Sequence, residues 1–166
     1  DISLIIFSFF LLTLVFFPLI GFEANGASRW IRILGFSFQP SELMKFSLII
    51  YISSYCFRRM TEFKEKWLGF WKPVLVVISA IALVLVEPDL GSSAVIFLIS
   101  LTIMFIAGAP LKQMLIIFFM GLGVFVSMIL LVPWRMNRIL SFVDPWSNYG
   151  ESGYQLSQAL IAFSRG

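Results

Sequence analysis

Residues 73–108 read PVLVVISAIALVLVEPDLGSSAVIFLISLTIMFIAG, two apolar runs separated only by Glu87-Pro88-Asp89. How this stretch divides decides the fold. As one helix it would exceed ~50 Å at ~1.5 Å per residue, too long for a hydrocarbon core of ~30 Å even when tilted. Pro88 disfavours helical backbone at Glu87 and has no N–H to donate. The stretch therefore predicts a helical hairpin, Pro73 to Val86 and Leu90 to Gly108, turning at Glu87 to Gly91 and carrying two carboxylates to one membrane face. Three further stretches reach or approach the roughly 20 apolar residues of a span: Ile2 to Ile20, Ser41 to Phe57 and Leu111 to Val132. The expected class is all-α, a multi-pass transmembrane helical bundle of about five spanning helices.

Composition agrees. Of 166 residues, 60% are hydrophobic and only 13% charged, with a mean hydropathy of +0.96; soluble domains average about 25% charged. Such a chain cannot cover its surface with polar groups, which excludes a soluble enzyme, a disordered tail and a disulfide-stapled module. Histidine is absent, removing the usual neutral-pH base and the commonest zinc ligand. The single Cys56 reads as a small packing residue. The net charge of +3 comes from scattered basic residues, which fits membrane lipids or an anionic substrate and not nucleic acid. Connections alternate sides: 21–40, 87–91 and 133 onward on one, 58–72 and 109–112 on the other. The denser basic cluster of Arg58 to Lys72 marks that side as cytoplasmic, and within it Glu62, Lys64, Glu65 and Lys66 read as an ordinary solvated loop. Neither terminus has the features of a natural end, so the chain reads as an internal segment of a longer membrane protein.

Charges within or beside spans cost roughly 2.5–3.5 kcal/mol at mid-helix and are functional candidates by default. Glu42 and Lys45 lie three apart on one helical face, either as a self-neutralising pair at a helix start or as the wall of a polar cavity. Asp89 suits the N-cap of the next helix, a role compatible with a functional one. Glu87 reads as a solvated interfacial carboxylate. Arg135 and Arg138, three apart beyond Pro133-Trp134, suit either lipid headgroups or a diphosphate. Trp30 reads as an interfacial anchor, Gly153 to Gly166 as a short interfacial or re-entrant helix, and Gly121-Leu122-Gly123 as a site of close helix packing.

Six motifs follow one another: Asn25 to Ile31, Phe38-Gln39-Pro40-Ser41-Glu42-Leu43-Met44-Lys45, Glu87-Pro88-Asp89-Leu90-Gly91, Pro133 to Arg138, Phe142 to Trp146, and Gly153 to Gln158. In this order and spacing the chain resembles the SEDS family of bacterial cell-wall polymerases (FtsW, RodA and SpoVE), over essentially its whole length. Asp144-Pro145-Trp146 and the ending Ala162 to Gly166 look more like the division branch, FtsW, than the elongation branch. Glu87 departs from the family's usual Gln.

The resemblance implies a ten-helix parent in the bacterial cytoplasmic membrane, at the division septum. This chain would supply five of its spans (about 2–20, 41–57, 73–86, 90–108 and 111–132), with 133–166 opening a large extracellular or periplasmic loop. It implies polymerisation of lipid II, the undecaprenyl-diphosphate-linked substrate, by glycosyl transfer. A class B penicillin-binding protein and other division proteins are the implied partners. Carried over by matched motif are Glu42, Lys45 and Asp89 as cavity-lining groups, with Gln39 beside them; Arg135 and Arg138 as diphosphate or loop-positioning groups rest on spacing. The family's catalytic aspartate falls beyond Gly166, so no catalytic base is expected here. No cofactor signature is evident, and divalent-cation dependence stays open. A lipid II flippase and a non-catalytic scaffold are the competing readings.

Overall fold

The computed structural model describes residues 1–17, 21–24, 27–33, 36–133, 135–137 and 154–165. Seven helices are described here: α1 (Ile2–Leu14), α2 (Pro40–Arg58), α3 (Met60–Glu65), α4 (Trp67–Val86), α5 (Leu90–Ile106), α6 (Leu111–Leu130) and α7 (Tyr154–Arg165), with strands β1 (Gly21–Ala24), β2 (Ala27–Ile33) and β3 (Phe36–Phe38) between α1 and α2. The residues group into two compact units, 1–119 and 120–166.

In the first unit α2 is the central element, packed against α1, α4 and α5. Its buried residues Ser41, Met44, Ser47, Leu48, Ile52 and Cys56 recur every three or four positions, the stripe expected of a helix with one face on its neighbours. Cys56 is thus the packing residue expected from sequence. In α5 the same spacing buries Ser93, Ile96, Phe97, Ser100, Leu101 and Met104. Small side chains let the backbones approach: the Ser8 and Ser47 hydroxyls meet at 2.5 Å between α1 and α2.

Outside these stripes the surface is oily. Phe10, Phe46, Leu98, Phe105 and Phe119 are exposed, and α6 buries only Met114. In water such a surface would be an association site; against lipid tails it is the expected exterior. Among the described residues, α4 and α6 are each long and apolar enough to cross a membrane, and α1 and α5 are shorter apolar helices.

Several boundaries differ from the sequence reading. The α4 helix starts at Trp67, six residues before Pro73, which lies inside it. A proline in the second helical turn removes one i→i−4 bond, here to the Gly69 carbonyl, and the Tyr55 hydroxyl donates to that carbonyl instead at 2.8 Å. The connection expected over 58–72, with Glu62 to Lys66 read as a solvated loop, is therefore mostly helical, with α3 folded against α4. A Cβ at Gly69 would stand 2.0 Å from the Glu62 carbonyl oxygen, so α3 and α4 meet where only glycine fits. Conversely, a Cβ at Gly123 would meet nothing within 4 Å, and the close packing expected there is not found among the described residues.

The connection after α1 is an antiparallel sheet in the order β1-β2-β3, with Phe22 opposite Trp30, Ile31 opposite Phe38, and a bulge between Phe22 and Glu23. It delivers the chain to Gln39, whose extended backbone precedes Pro40 at the first turn of α2. Proline is preorganised for that position, where its missing donor is not needed.

Candidate functional site

Two helix starts meet at one end of the first unit. Asp89 caps α5: its Oδ1 accepts the Ser92 backbone N–H at 3.0 Å and its Oδ2 accepts the Ser92 hydroxyl at 2.7 Å. The capping expected from sequence is present. The Ser93 hydroxyl donates to the Asp89 carbonyl at 2.8 Å. Across the helix interface, Gln39 Nε2 donates to Asp89 Oδ2 at 3.0 Å, joining residues fifty positions apart. Three donors thus occupy a carboxylate with about four acceptor sites, and Asp89 is only 9% exposed.

One turn along α2, the Lys45 ammonium donates to Glu42 Oε1 at 2.7 Å. The Lys45 side chain is 18% exposed and that of Glu42 57%. The lysine is the sheltered member and the carboxylate faces outward. Glu42 also sits in the first turn of α2, where its backbone N–H bonds the Gln39 carbonyl at 3.1 Å and a negative charge is favourable. The structure therefore brings Gln39, Glu42, Lys45 and Asp89 to one end of the α2–α5 pair.

The site contains two groups that sequence reasoning missed. Glu87, read as solvated, is 1% exposed; it is the C-cap of α4, two residues before Asp89, and its side chain is turned inward. Hydropathy carried no signal for this, because the turn sequence alone does not say which way the side chain folds. Ser41 is buried, and its hydroxyl has no hydrogen-bond partner among the described residues; its place directly before Glu42 was the available clue.

Arg135 lies in the second unit. Its Nη1 donates to the Met128 carbonyl at 3.1 Å, one of the last-turn carbonyls of α6 that have no intrahelical donor. Arg138 lies outside the described residues. At the opposite end of α2, Glu62 on α3 accepts from Arg59 Nη1 and Lys72 Nζ, each at 2.8 Å. These two hydrogen bonds, with Lys72 the larger influence, hold its carboxyl down to about 2, and the same pairing raises Arg59 further.

An oily helical body with ionic and amide groups gathered where two helices begin defines a multi-pass membrane protein with a polar site at its rim. The family model described as "Cell cycle protein", covering FtsW, RodA and SpoVE, matches residues 1–166, and the chain belongs to this family. The probable peptidoglycan glycosyltransferase FtsW of Aeromonas salmonicida is 42% identical over 156 residues, 94% of this chain and 40% of its own length. That of Saccharophagus degradans is 44% identical over 163 residues, 98% of this chain and 42% of its own. The chain thus spans about two fifths of these relatives. Among solved structures, the rod shape determining protein RodA of Thermus thermophilus superposes with a TM-score of 0.63 at 28% identity, covering 76% of this chain and 40% of that one. A chain of a peptidoglycan synthase complex, solved for the coordination of polymerization and crosslinking, gives 0.67 at 29% identity over 96% of this chain and 47% of its own. Helices and relatives together make this an inner-membrane protein.

Proposed function

We propose that the protein of which this chain forms part is a peptidoglycan glycosyltransferase that polymerises lipid II during bacterial cell division. In the reaction a sugar hydroxyl of one lipid II attacks the anomeric carbon of the growing chain. The new glycosidic C–O bond forms as the C–O bond to the lipid diphosphate breaks, undecaprenyl diphosphate leaves, and the hydroxyl proton passes to a carboxylate base. Such chemistry needs a positioned base, a cation near the leaving diphosphate and no redox cofactor.

The observation that carries the reading is the Gln39–Asp89 hydrogen bond, with the Glu42–Lys45 pair one turn away. It ties the α2 and α5 starts into one polar rim on an otherwise apolar body. Asp89 is engaged by three donors, which suits holding this rim in register rather than abstracting a proton. The family resemblance sets the base downstream of Gly166. Lys45, the sheltered member of its ion pair, is the cation this reading assigns to the diphosphate; Arg135, which donates to an α6 carbonyl, and Arg138 are the other candidates. Relatives named as peptidoglycan glycosyltransferases support the activity. The structural relative from a peptidoglycan synthase complex that coordinates polymerization and crosslinking supports a crosslinking partner, which on this reading is a class B penicillin-binding protein; the septum as working location follows from the division reading itself. Dependence on a divalent cation is tested by chelation.

Polymerisation of lipid II by the full-length protein in detergent tests the reading. Lys45→Ala and Asp89→Ala are expected to lower the rate by at least about ten-fold, the size of one lost charge-assisted interaction. Wild-type rates in both folded variants refute a role for this rim. Polymer formed in detergent, where there is no leaflet to cross, separates a polymerase from a flippase.

A further inference from the structure

At the far end of α2 from Asp89, a cavity of about 750 Å³ opens between α2, α3 and α4, lined by Tyr51, Tyr55, Arg58, Arg59, Glu62 and Lys72. We propose that it binds the phosphate of an anionic phospholipid headgroup, a site separate from the polar rim and independent of the polymerase reading.

Three features carry this. Charge is the first: three cations line the cavity with Glu62, and counting the Asp1 carboxylate that pairs Arg58 the group still carries one positive charge in excess. Glu62 bridges Arg59 and Lys72 from α3 and α4, holding both at the wall, while each keeps further N–H donors for an anion. Arg58 is tied through Nη2 to the Asp1 carboxylate and through Nε to the Ser54 carbonyl, and likewise keeps further donors. A guanidinium fork matches phosphate oxygens.

Depth is the second. Tyr51 lies seven residues before Arg58, about 10 Å further along the helix, so the lining extends from the guanidinium level past Tyr55 to a tyrosine two turns deeper, with Ile2 of α1 beside it. Free phosphate has no use for that depth; an amphiphile fills both parts. Level is the third. Trp67 and Trp71, on the first two turns of α4, hold their rings tilted at 49° with centroids 5.6 Å apart, and Trp67, Leu68 and Phe57 are all exposed. Indole rings gather at the headgroup layer, which sets Arg59 and Lys72 where lipid phosphates lie. The basic cluster marks this face as the cytoplasmic one, whose leaflet is rich in anionic lipid.

The test is native mass spectrometry of the full-length protein in detergent, equilibrated with equal amounts of phosphatidylglycerol and phosphatidylcholine. The expected result is selective retention of phosphatidylglycerol, falling about thirty-fold in the double variant Arg59→Gln/Lys72→Gln and unaffected by excess inorganic phosphate. Should that variant not fold, the milder Arg59→Lys/Tyr51→Phe pair serves, with a smaller loss expected. Equal retention of the two lipids, or retention unchanged in a folded variant, overturns the proposal. Displacement by inorganic phosphate overturns the lipid assignment in favour of a soluble phosphate ligand.

Discussion

Tyr55→Phe removes one oxygen and leaves the ring in place against Tyr51 at 6.3 Å and edge-on to Phe63 at 6.4 Å. What it deletes is the donor to the Gly69 carbonyl. In a regular helix residue 73 would bond that carbonyl, but residue 73 is proline and has no N–H. The variant therefore strands a part-buried backbone acceptor, at a cost of about 1–3 kcal/mol. Pro73→Ala supplies an N–H in the right register, so in that background the loss of the hydroxyl is expected to cost about 0.5 kcal/mol or less. The two substitutions should couple by about 1–2 kcal/mol in a double-mutant cycle. Unfolding of the full-length protein in mixed detergent micelles, followed by tryptophan fluorescence, measures all four corners. Costs that simply add, within about 0.5 kcal/mol, would show that the hydroxyl does not stand in for the missing amide.

Gly69→Ala places a methyl 2.0 Å from a backbone oxygen that no rotamer can move; a loss of at least about 3 kcal/mol is expected from the same unfolding measurement, and a loss below about 1 would show that α3 readily shifts. Glu62 supplies a pH-dependent term. Its carboxyl lies near 2 in the folded protein against an ordinary 4.5, so its contribution is fully present above pH 4.5 and is lost as the pH falls toward 2. The difference in Tm between wild type and Glu62→Gln should follow that course and shrink in high salt, because all three partners are solvent-accessible; a difference independent of pH would mean the residue acts through packing.

Some of this was readable from residue order alone. The Glu87-Pro88-Asp89 break between two apolar runs appears as the end of α4 and the start of α5, because proline and an Asp cap act within a few residues of themselves. The capping of α5 by Asp89 and the Glu42–Lys45 pair are likewise local, spacings of three on a helix. The sheet after α1 was missed although Asn25-Gly26, a strong hairpin signal, stands between β1 and β2. The helical start of α4 was missed because Pro73 read as a boundary, whereas a tyrosine from another helix supplies the bond that proline lacks.

The chain's order of residues alone determined a membrane-embedded, all-α body, since the transfer of long apolar runs from water needs no knowledge of neighbours. It also named Glu42, Lys45 and Asp89 as candidates, to which the family resemblance added Gln39. Only the tertiary structure decided that Gln39 reaches Asp89 across fifty residues, that Glu87 turns inward and that Arg59 and Lys72 share one carboxylate. Each of these depends on which helix faces which. Burial and long-range hydrogen bonding are properties of packed pairs, and a pattern of three or four residues along one helix does not encode its partner.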